Sequence, residues 1–214
     1  MLAIIFANGE FLPPADLAAR LANASLIVAA DGGGQHCLQL GILPDVLIGD
    51  LDSISADARQ EFESKGVRVL VHPVAKEQTD LELALAHAKQ AGANEIVVLA
   101  GLGRRWDHSL ANLMLAAQPQ YAQVVVSFLH GEQRLQILRG ENKLTTRPGE
   151  RISLLPLGGD VSGIVTKELA YPLENETLIF GSSRGVSNVV LAEGAQVNIG
   201  AGVLLCVISP PDLE

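Results

Sequence analysis

The chain has 214 residues, of which 48% are hydrophobic, and its formal net charge is −9 at pH 7. A chain of this length and hydrophobicity can bury one sizeable core or two modest ones, so we expect a globular, soluble protein. The acidic balance argues against nucleic acid as a partner, because binding to a phosphate backbone needs a basic footprint. A phosphate ligand would therefore need a metal ion or a few local cations.

The cysteine content and the first residues bear on the cellular location. Cys37 and Cys206 lie far apart in the sequence and in no metal-ligand spacing, which favours a reducing compartment over a disulfide framework. The opening segment MLAIIFANGE has no basic region, and its apolar stretch is far too short to span a bilayer. We therefore expect a cytoplasmic protein with no membrane partner.

Up to about residue 130, apolar runs typical of strands alternate with helical patterns. The segment PADLAARLAN predicts a helix, and TDLELALAHAKQAG predicts another because its apolar residues recur at helical spacing. The alternation predicts βαβ units and a mostly parallel, Rossmann-like sheet in an α/β domain over residues 1–130. The predicted strands are LAIIFAN, SLIVAAD, DVLIGD, VRVLVH, EIVVLAG and QVVVSFL.

After about Glu132 the pattern changes to short β-rich stretches that are separated by turns. No helical pattern comparable to those of the first half occurs there. The change predicts a second domain, residues 131–214, with an all-β antiparallel sandwich or barrel. Its predicted strands include RLQIL, NKLTT, RISLLPL, VSGIVT, ETLIF, SNVVL, AQVNI and VLLCVIS.

Acidic residues follow several of the predicted strands. Asp31 ends SLIVAAD, Asp50 and Asp52 end DVLIGDLD, and Asp80 opens a predicted helix. Buried parallel strands end at the same edge of a sheet, which is where open α/β sheets bind ligands. Carboxylates gathered there would repel one another unless they shared a cation or a proton. The pattern therefore predicts Mg²⁺ that holds a polyphosphate.

The glycines after Asp31 allow two interpretations. Gly32 and Gly33 would let a backbone approach a phosphate at the start of a helix, or they would only form a tight strand-to-helix turn. The segment GLGRRW places Trp106 where a dinucleotide-binding fingerprint has its third glycine, and no P-loop motif occurs. Neither a dinucleotide fold nor a P-loop is therefore supported.

Asp50 and Asp52 are a more specific signal. If residues 50–52 remain extended, both carboxylates point to the same side of the chain, where they can reach one hard cation. The alternative is that Asp52, or Ser53 after it, only caps a helix over residues 55–64. Capping would explain one acid and not both, so metal binding is favoured.

The start of the predicted helix TDLELALAHAKQAG resembles a capping box, in which Thr79 caps the helix and Glu82 reaches back to the cap. A capping box does not use Asp80, which could then face a cation. Lys76 could supply a positive charge nearby, but a solvated surface lysine is the more ordinary explanation.

The segment GRRWDHSLANL places several polar residues at the start of a helix that follows a buried strand. A guanidinium group offers several donors in a planar fork that suits phosphate oxygens, which makes Arg105 a candidate phosphate ligand. His108 and Asn112 share a helical face, but a lone histidine there is more often structural than catalytic.

Taken as a set, five segments resemble the ordered motifs of the thiamine pyrophosphokinase family. The resemblance spans most of the chain and includes the change from α/β to β architecture. It implies transfer of a pyrophosphoryl group from ATP to the hydroxyethyl oxygen of thiamine, with Mg²⁺, to give thiamine diphosphate and AMP. It also implies a homodimer that holds thiamine between the α/β domain of one subunit and the β domain of the other. The segments are DGG at 31–33, GDLDS at 49–53, KEQTDLELAL at 76–85, GLGRRWDHSLAN at 101–112 and GSSRGVSN at 181–188.

The same resemblance implies roles for single positions. An aromatic residue of ELAYPL, Tyr171, would pack on thiamine, and Ser187 with Asn188 would lie near its pyrimidine. The metal ligands would be Asp50, Asp52 and Asp80, and these three residues together with Arg105 would be catalytic. The residues that bind the nucleotide or thiamine would be Asp31, Gly32, Gly33, Gln78, Asp107, Asn112, Tyr171, Ser187 and Asn188.

Two positions depart from the family pattern. Glu77 stands where bacterial relatives usually carry Asp, which preserves the charge. Glu168 occupies a position that is usually glycine, so the backbone that places Tyr171 is in question.

Two other functions fit parts of the pattern. A Mg²⁺-dependent pyrophosphokinase acting on a pterin alcohol would keep the acidic centre and change the β domain. A non-enzymatic nucleotide-binding module would need no clustered metal ligands and no acceptor pocket. Ser187, Asn188 and Tyr171 favour thiamine as the acceptor. The cationic ring of thiamine suits an acidic pocket and an aromatic face such as that of Tyr171 or Trp106.

Overall fold

The computed structural model describes residues 1–75 and 77–211. The chain forms two compact units. The first comprises Met1–Leu115 and Gln123–Gly131, and the second comprises Ala116–Ala122 and the chain from Glu132 onward.

The first unit consists of a parallel sheet and helices. Its strands pair in the order β6-β5-β1-β2-β3-β4, and every neighbouring pair is parallel. This confirms the predicted α/β fold with a mostly parallel sheet. The strands are β1 (Leu2–Phe6), β2 (Leu26–Ala30), β3 (Val46–Gly49), β4 (Arg68–Val71), β5 (Glu95–Leu99) and β6 (Val125–His130), and the helices are α1 (Leu17–Asn23), α2 (Gly33–Gln39), α3 (Ala56–Ser64), α4 (Asp80–Gln90) and α5 (Trp106–Ala116).

The central strands are apolar on both faces, as parallel strands covered by helices must be. All four residues of β3 are buried, and so are the last four of β1 and of β5. Ile4, Leu47 and Val97 belong to one buried cluster that extends from this sheet to Phe62 of α3. Because every neighbouring pair of these strands is parallel, their carboxyl ends lie at one edge of the sheet.

The first helix begins later than its sequence pattern predicts. Helix α1 starts at Leu17, whereas the segment PADLAARLAN predicts a start at Pro14. The Leu17 backbone N–H donates to the carbonyl oxygen of Pro14 at 3.1 Å, so residues 14–16 form a tight turn that precedes the helix.

The second unit contains antiparallel strands, and no helix longer than the 3-10 turn Pro119–Tyr121 occurs in its described residues. Two four-stranded groups, β12-β9-β14-β7 and β11-β10-β13-β8, contribute side chains such as Ile152 and Ile164 to one buried core. This confirms the predicted all-β antiparallel architecture. The strands are β7 (Gln133–Leu138), β8 (Glu141–Lys143), β9 (Arg151–Pro156), β10 (Val161–Lys167), β11 (Glu174–Leu178), β12 (Asn188–Val189), β13 (Gln196–Asn198) and β14 (Leu204–Ser209).

None of the helices in residues 1–75 and 77–211 has the length and apolar character that a membrane crossing requires.

Candidate active site

A cleft of about 550 Å³ opens at the carboxyl ends of β1 and β5. Its walls are residues 7–10 after β1, residues 100–105 after β5, and the first turns of α4 and α5. Strands β2 to β4 extend the sheet on one side of β1, whereas β5 and β6 extend it on the other. The cleft therefore lies where the strand order reverses, which is the usual ligand-binding position in open α/β sheets.

Helix α5 holds the loop that forms one wall of this cleft. The hydroxyl of the buried Ser109 accepts a hydrogen bond from Gly103 N at 3.1 Å and lies 3.2 Å from Arg105 O. The Asn112 amide Nδ2 donates to Gly101 O at 2.6 Å. Both side chains thus fix the backbone that carries Arg105.

Sequence reasoning missed Ser109. The signal was nevertheless present, because Ser109 shares its helical spacing with the buried residues Leu113 and Ala116. A serine on the buried face of a helix needs a hydrogen-bond partner, and here that partner is the loop at residues 103–105.

The glycines after Asp31 are explained by close packing. A Cβ added to Gly33 would lie 1.9 Å from the Phe6 carbonyl oxygen, and one added to Gly32 would lie 2.1 Å from Asn8 Oδ1. Only glycine therefore lets the first turn of α2 approach β1 and the loop after it. This geometry favours the turn interpretation of Gly32 and Gly33, and their phosphate-binding role stays a prediction.

Three of the predicted acids converge beside the ends of β2 and β3. Asp31, Asp50 and Asp52 each place a carboxylate oxygen within 4.8 Å of the others. Asp31 is only 3% exposed, whereas Asp52 is exposed. Such oxygen atoms from three carboxylates are the ligand type that a hard divalent cation prefers.

The expectation that residues 50–52 remain extended is wrong. Leu51 has a φ of 62°, in the left-handed region, and its side chain is buried in the core. The chain therefore turns as soon as β3 ends, and the turn rather than strand alternation brings Asp50 and Asp52 to one place. Asp31 is left-handed as well, with a φ of 45°.

The capping alternative for Asp52 and Ser53 is also wrong. Ser55 caps α3, since its hydroxyl accepts a hydrogen bond from Ala58 N at 3.2 Å. Ser53 instead serves the acidic cluster: its backbone N–H donates to Asp31 Oδ1 at 3.2 Å, and its hydroxyl donates to Asp52 Oδ1 at 3.0 Å. Asp52 is thus oriented towards the cluster and not towards the helix.

Asp80 lies next to this cluster, across Gly49. A Cβ on Gly49 would meet Asp80 Oδ1 at 2.8 Å and the Cβ of Asp31 at 3.0 Å. Asp80 also lines the cleft, so it borders both features. Within the described residues the acids that converge are Asp31, Asp50 and Asp52, and a metal-binding role for Asp80 stays a prediction.

Half of the predicted capping box forms. The Thr79 hydroxyl accepts a hydrogen bond from Glu82 N at 3.2 Å and so caps α4. The Glu82 carboxylate does not supply the reciprocal half in the described structure, where it accepts a long hydrogen bond from Gln78 Nε2 at 3.4 Å. Gln78 is therefore held beside the first turn of α4. The predicted positive charge of Lys76 lies outside the described residues.

Arg105 and Asp107 form a bidentate ion pair. Arg105 Nη2 and Nε donate to the two Asp107 oxygens at 2.6 and 3.3 Å, and both side chains are exposed. The hydrogen bonds from Arg105 hold the pKa of the Asp107 carboxyl below its ordinary value, and the same bonds raise the pKa of Arg105. The guanidinium is thus fully charged at the rim of the cleft. Trp106 between them is 77% exposed.

In the second unit the structure brings Tyr171 and Asn188 together. The Asn188 side chain bonds the Tyr171 backbone, while the Tyr171 side chain is exposed. Glu168 has a φ of 62°, so it adopts the left-handed backbone that a glycine would favour at this position. Ser187 is left-handed as well, with a φ of 61°, and its backbone N–H donates to Ser153 Oγ at 3.0 Å.

Two family models match the chain, one after the other. Residues 17–128 match the model described as "Thiamin pyrophosphokinase, catalytic domain". Residues 135–204 match the model described as "Thiamin pyrophosphokinase, vitamin B1 binding domain".

Individual proteins give the same result. The chain is 27% identical to a thiamine pyrophosphokinase of Bacillus subtilis (strain 168) over 196 residues, which cover 91% of this chain and 92% of that protein. The crystal structure of thiamine pyrophosphokinase from Bacillus subtilis superposes with a TM-score of 0.88 at 26% identity and full coverage of both chains. A thiamin pyrophosphokinase structure from Geobacillus thermodenitrificans gives a TM-score of 0.83 at 25% identity, covering 99% of each chain.

Proposed function

The chain belongs to the thiamin pyrophosphokinase family, and we infer that it transfers a pyrophosphoryl group from ATP to thiamine, giving thiamine diphosphate and AMP. The observation that carries this conclusion is the paired match of a catalytic-domain model and a vitamin B1 binding model in succession. A pyrophosphokinase for a pterin alcohol would not account for the second match. A nucleotide-binding module without an acceptor would not account for it either.

We propose that residues 1–130 form the catalytic domain and that ATP binds in the cleft between the ends of β1 and β5. The proposal is supported by the position of the cleft at the strand-order reversal, beside three clustered carboxylates. Asp31, Gly32 and Gly33 would border the phosphates, and Gln78, Asp107 and Asn112 would complete the polar surroundings.

We propose that Mg²⁺ is held by Asp50 and Asp52, with Asp80 as the third expected ligand and Asp31 beside them. The oxygens of Asp31, Asp50 and Asp52, which lie within 4.8 Å of one another, fit a hard cation because close carboxylates otherwise repel. When bound, Mg²⁺ would neutralise charge on phosphate oxygens and orient the chain of phosphates.

The protein's own groups would carry out the remaining work. Arg105 can direct its guanidinium fork at phosphate oxygens, and Asp107 holds that guanidinium in place until the nucleotide arrives. A cluster carboxylate within hydrogen-bond reach of the thiamine hydroxyl would accept its proton. The thiamine oxygen would then attack the β-phosphorus and form an O–P bond there, while the bond from the β-phosphorus to the oxygen of the α-phosphate breaks and AMP leaves with that oxygen and its electron pair.

We propose that residues 131–214 bind thiamine at the surface that carries Tyr171, Ser187 and Asn188. The exposed Tyr171 ring offers a face for a cationic heterocycle.

We further propose a homodimer, which sedimentation equilibrium would reveal as twice the mass of one chain. A cytoplasmic location is proposed because Cys37 and Cys206 are both free thiols.

A coupled assay that measures AMP release tests the function. The purified protein is incubated with ATP and Mg²⁺ alone, with thiamine, or with a hydroxymethyl pterin. We expect AMP release only with thiamine. Release with the pterin alone would make it a different pyrophosphokinase, and no release with either acceptor would support the nucleotide-binding module.

A further inference from the structure

The side-chain amide of Asn188 forms hydrogen bonds with the backbone of Tyr171. Tyr171 N–H donates to Asn188 Oδ1 at 3.0 Å, and Asn188 Nδ2 donates to Tyr171 O at 2.7 Å. Val189 N–H also donates to the same Oδ1 at 2.9 Å. Because the partners are backbone groups with fixed roles, the orientation of the amide is settled, and Oδ1 already accepts two hydrogen bonds.

This amide continues a short antiparallel ladder. Leu191 N donates to Glu168 O at 2.9 Å, and Ala170 N donates to Val189 O at 2.9 Å. The pairing ends there along the backbone, and the Asn188 side chain supplies the next two hydrogen bonds, to Tyr171. Hydrogen bonds therefore hold the backbone of residues 168–171, including that of Tyr171.

The backbone next to this ladder adopts unfavourable conformations. Glu168 and Ser187 have φ values of 62° and 61°, which crowd the Cβ of any L-residue. Such conformations persist only where the surroundings determine them. The ladder and the Asn188 amide hold the backbone of Tyr171, a residue that is 71% exposed. An aromatic residue whose backbone is held loses less conformational freedom on binding than one on a mobile backbone does.

We propose that Asn188 is a positioning residue for thiamine and that it acts through Tyr171. The inference rests on the proposed function and refines it. A direct contact with thiamine through Oδ1 would require Asn188 to give up a hydrogen bond to the Tyr171 or Val189 backbone. Asn188 instead sets where the Tyr171 ring lies.

A double-mutant cycle tests the proposal on the intact protein. The KM for thiamine, the KM for ATP and kcat are measured for Asn188→Ala, Tyr171→Ala and the double variant. Each single change should raise the KM for thiamine by about tenfold, the effect of losing one to two net hydrogen bonds or a ring contact, and leave the KM for ATP within about twofold. The double variant should be no worse than Tyr171→Ala alone, because Asn188 acts through the ring that is already absent.

If the fold-changes of the two single variants multiply in the double variant, Asn188 contacts thiamine independently and the proposal fails. If Asn188→Ala does not fold, Asn188→Asp serves in the same cycle, since it keeps the shape and removes the donor to Tyr171 O. A wild-type protein without thiamine-dependent AMP release would overturn the proposed function, and the inference with it, before any variant is compared.

Asn142 provides a matched control in the same unit. Its amide Nδ2 also donates to backbone carbonyls, those of Gly140 at 3.1 Å and Val197 at 3.0 Å. Asn142→Ala should lower thermal stability and leave the KM for thiamine unchanged. An equal rise in the KM for thiamine would mean that loss of any such amide disturbs the site, and would contradict a specific role for Asn188.

Discussion

A substitution of Asp52 can test the chemistry of the acidic cluster without changing the stability of the fold. It is exposed, and Ser55 rather than Asp52 caps α3. We expect Asp52→Asn to lower turnover to below about 1% of wild type, because a neutral amide is a poor magnesium ligand and charge stabilisation of this kind is worth about 10² to 10³ in rate. AMP release and thermal unfolding, measured side by side, check this. The melting temperature should hardly change.

Asp57 is the matched control for that substitution. It is an acid in the first turn of α3, close in sequence to Asp52 and outside the converging group. Asp57→Asn should keep full activity and lose at most about 1 kcal/mol of stability from the helix dipole. Near-normal turnover of Asp52→Asn in saturating Mg²⁺ would remove Asp52 from the proposed metal site.

At the scale of single residues, sequence predicted that Asp31, Asp50 and Asp52 meet, but not how they meet. Asp31 and Asp50 follow neighbouring parallel strands, so their proximity was readable from the strand pattern. The left-handed turn at Leu51 was not, because an alternating or apolar run carries no signal for one residue's φ. Ser55 was missed as the cap because Ser53 and Ser55 are equally good candidates from sequence.

Among the elements, α5 contributes both to the stability of the fold and to the geometry of the site, through the buried hydroxyl of Ser109. Ser109 holds the loop at residues 103–105, which leads to Arg105. Ser109→Ala should cost about 1 to 2 kcal/mol of stability, since the loop backbone loses its partner, and should also reduce kcat/KM for ATP by about tenfold. Urea unfolding and steady-state kinetics measure the two effects.

Ser55→Ala isolates the structural part of that effect. Ser55 caps α3 and lies outside the walls of the cleft, so its loss should cost about 1 kcal/mol and leave kcat/KM unchanged. If Ser109→Ala behaved in the same way, with stability lost and kinetics intact, α5 would have no part in positioning Arg105.

Strand identities were readable at this scale, whereas some helix starts were not. Runs such as LIVAA and EIVVL predict buried strands because little else in a globular protein is so uniformly apolar and β-branched. The start of α1 was misplaced because Pro14 is as acceptable in a turn as in a first helical turn. Only the hydrogen bond from Leu17 N to Pro14 O distinguishes the two.

Across the whole molecule, each unit contains one buried thiol, which makes the cysteines reporters of opening. Burial raises the pKa of Cys37 to about 12 and that of Cys206 to about 12. At pH 8 only about one thiol in ten thousand is then ionised, so a disulfide reagent should label neither cysteine in the folded protein. Both should react in urea, and mass spectrometry of the peptides would show which unit opens first. Rapid labelling of Cys37 without denaturant would contradict its burial.

The same thiols predict a pH dependence of stability. Their folded pKa values lie above the ordinary value of 9.0, so the folded state holds these protons more tightly than the unfolded state does. Their contribution to stability is fully present below about pH 9 and is lost as the pH rises towards about 12. Cys206→Ala should flatten this alkaline loss in urea unfolding, and an unchanged slope would argue against a raised thiol pKa.

At this scale the sequence predicted two architectures in succession, because hydrophobic periodicity changes from helical to alternating. It could not predict that Ala116–Ala122 would group with the second unit. Pro119 marks the end of the α5 pattern in the sequence, but it does not show which unit the following residues join. Arg139, which donates to Ala117 O, is distant in sequence.

The most direct measurement is the identity and ratio of the products. The protein is incubated with ATP, Mg²⁺ and thiamine, and nucleotides and thiamine esters are separated and quantified together. Transfer of a pyrophosphoryl group predicts AMP and thiamine diphosphate in equal amounts, with neither formed when thiamine is omitted. Formation of ADP with thiamine monophosphate, or AMP release that does not depend on thiamine, would contradict the account.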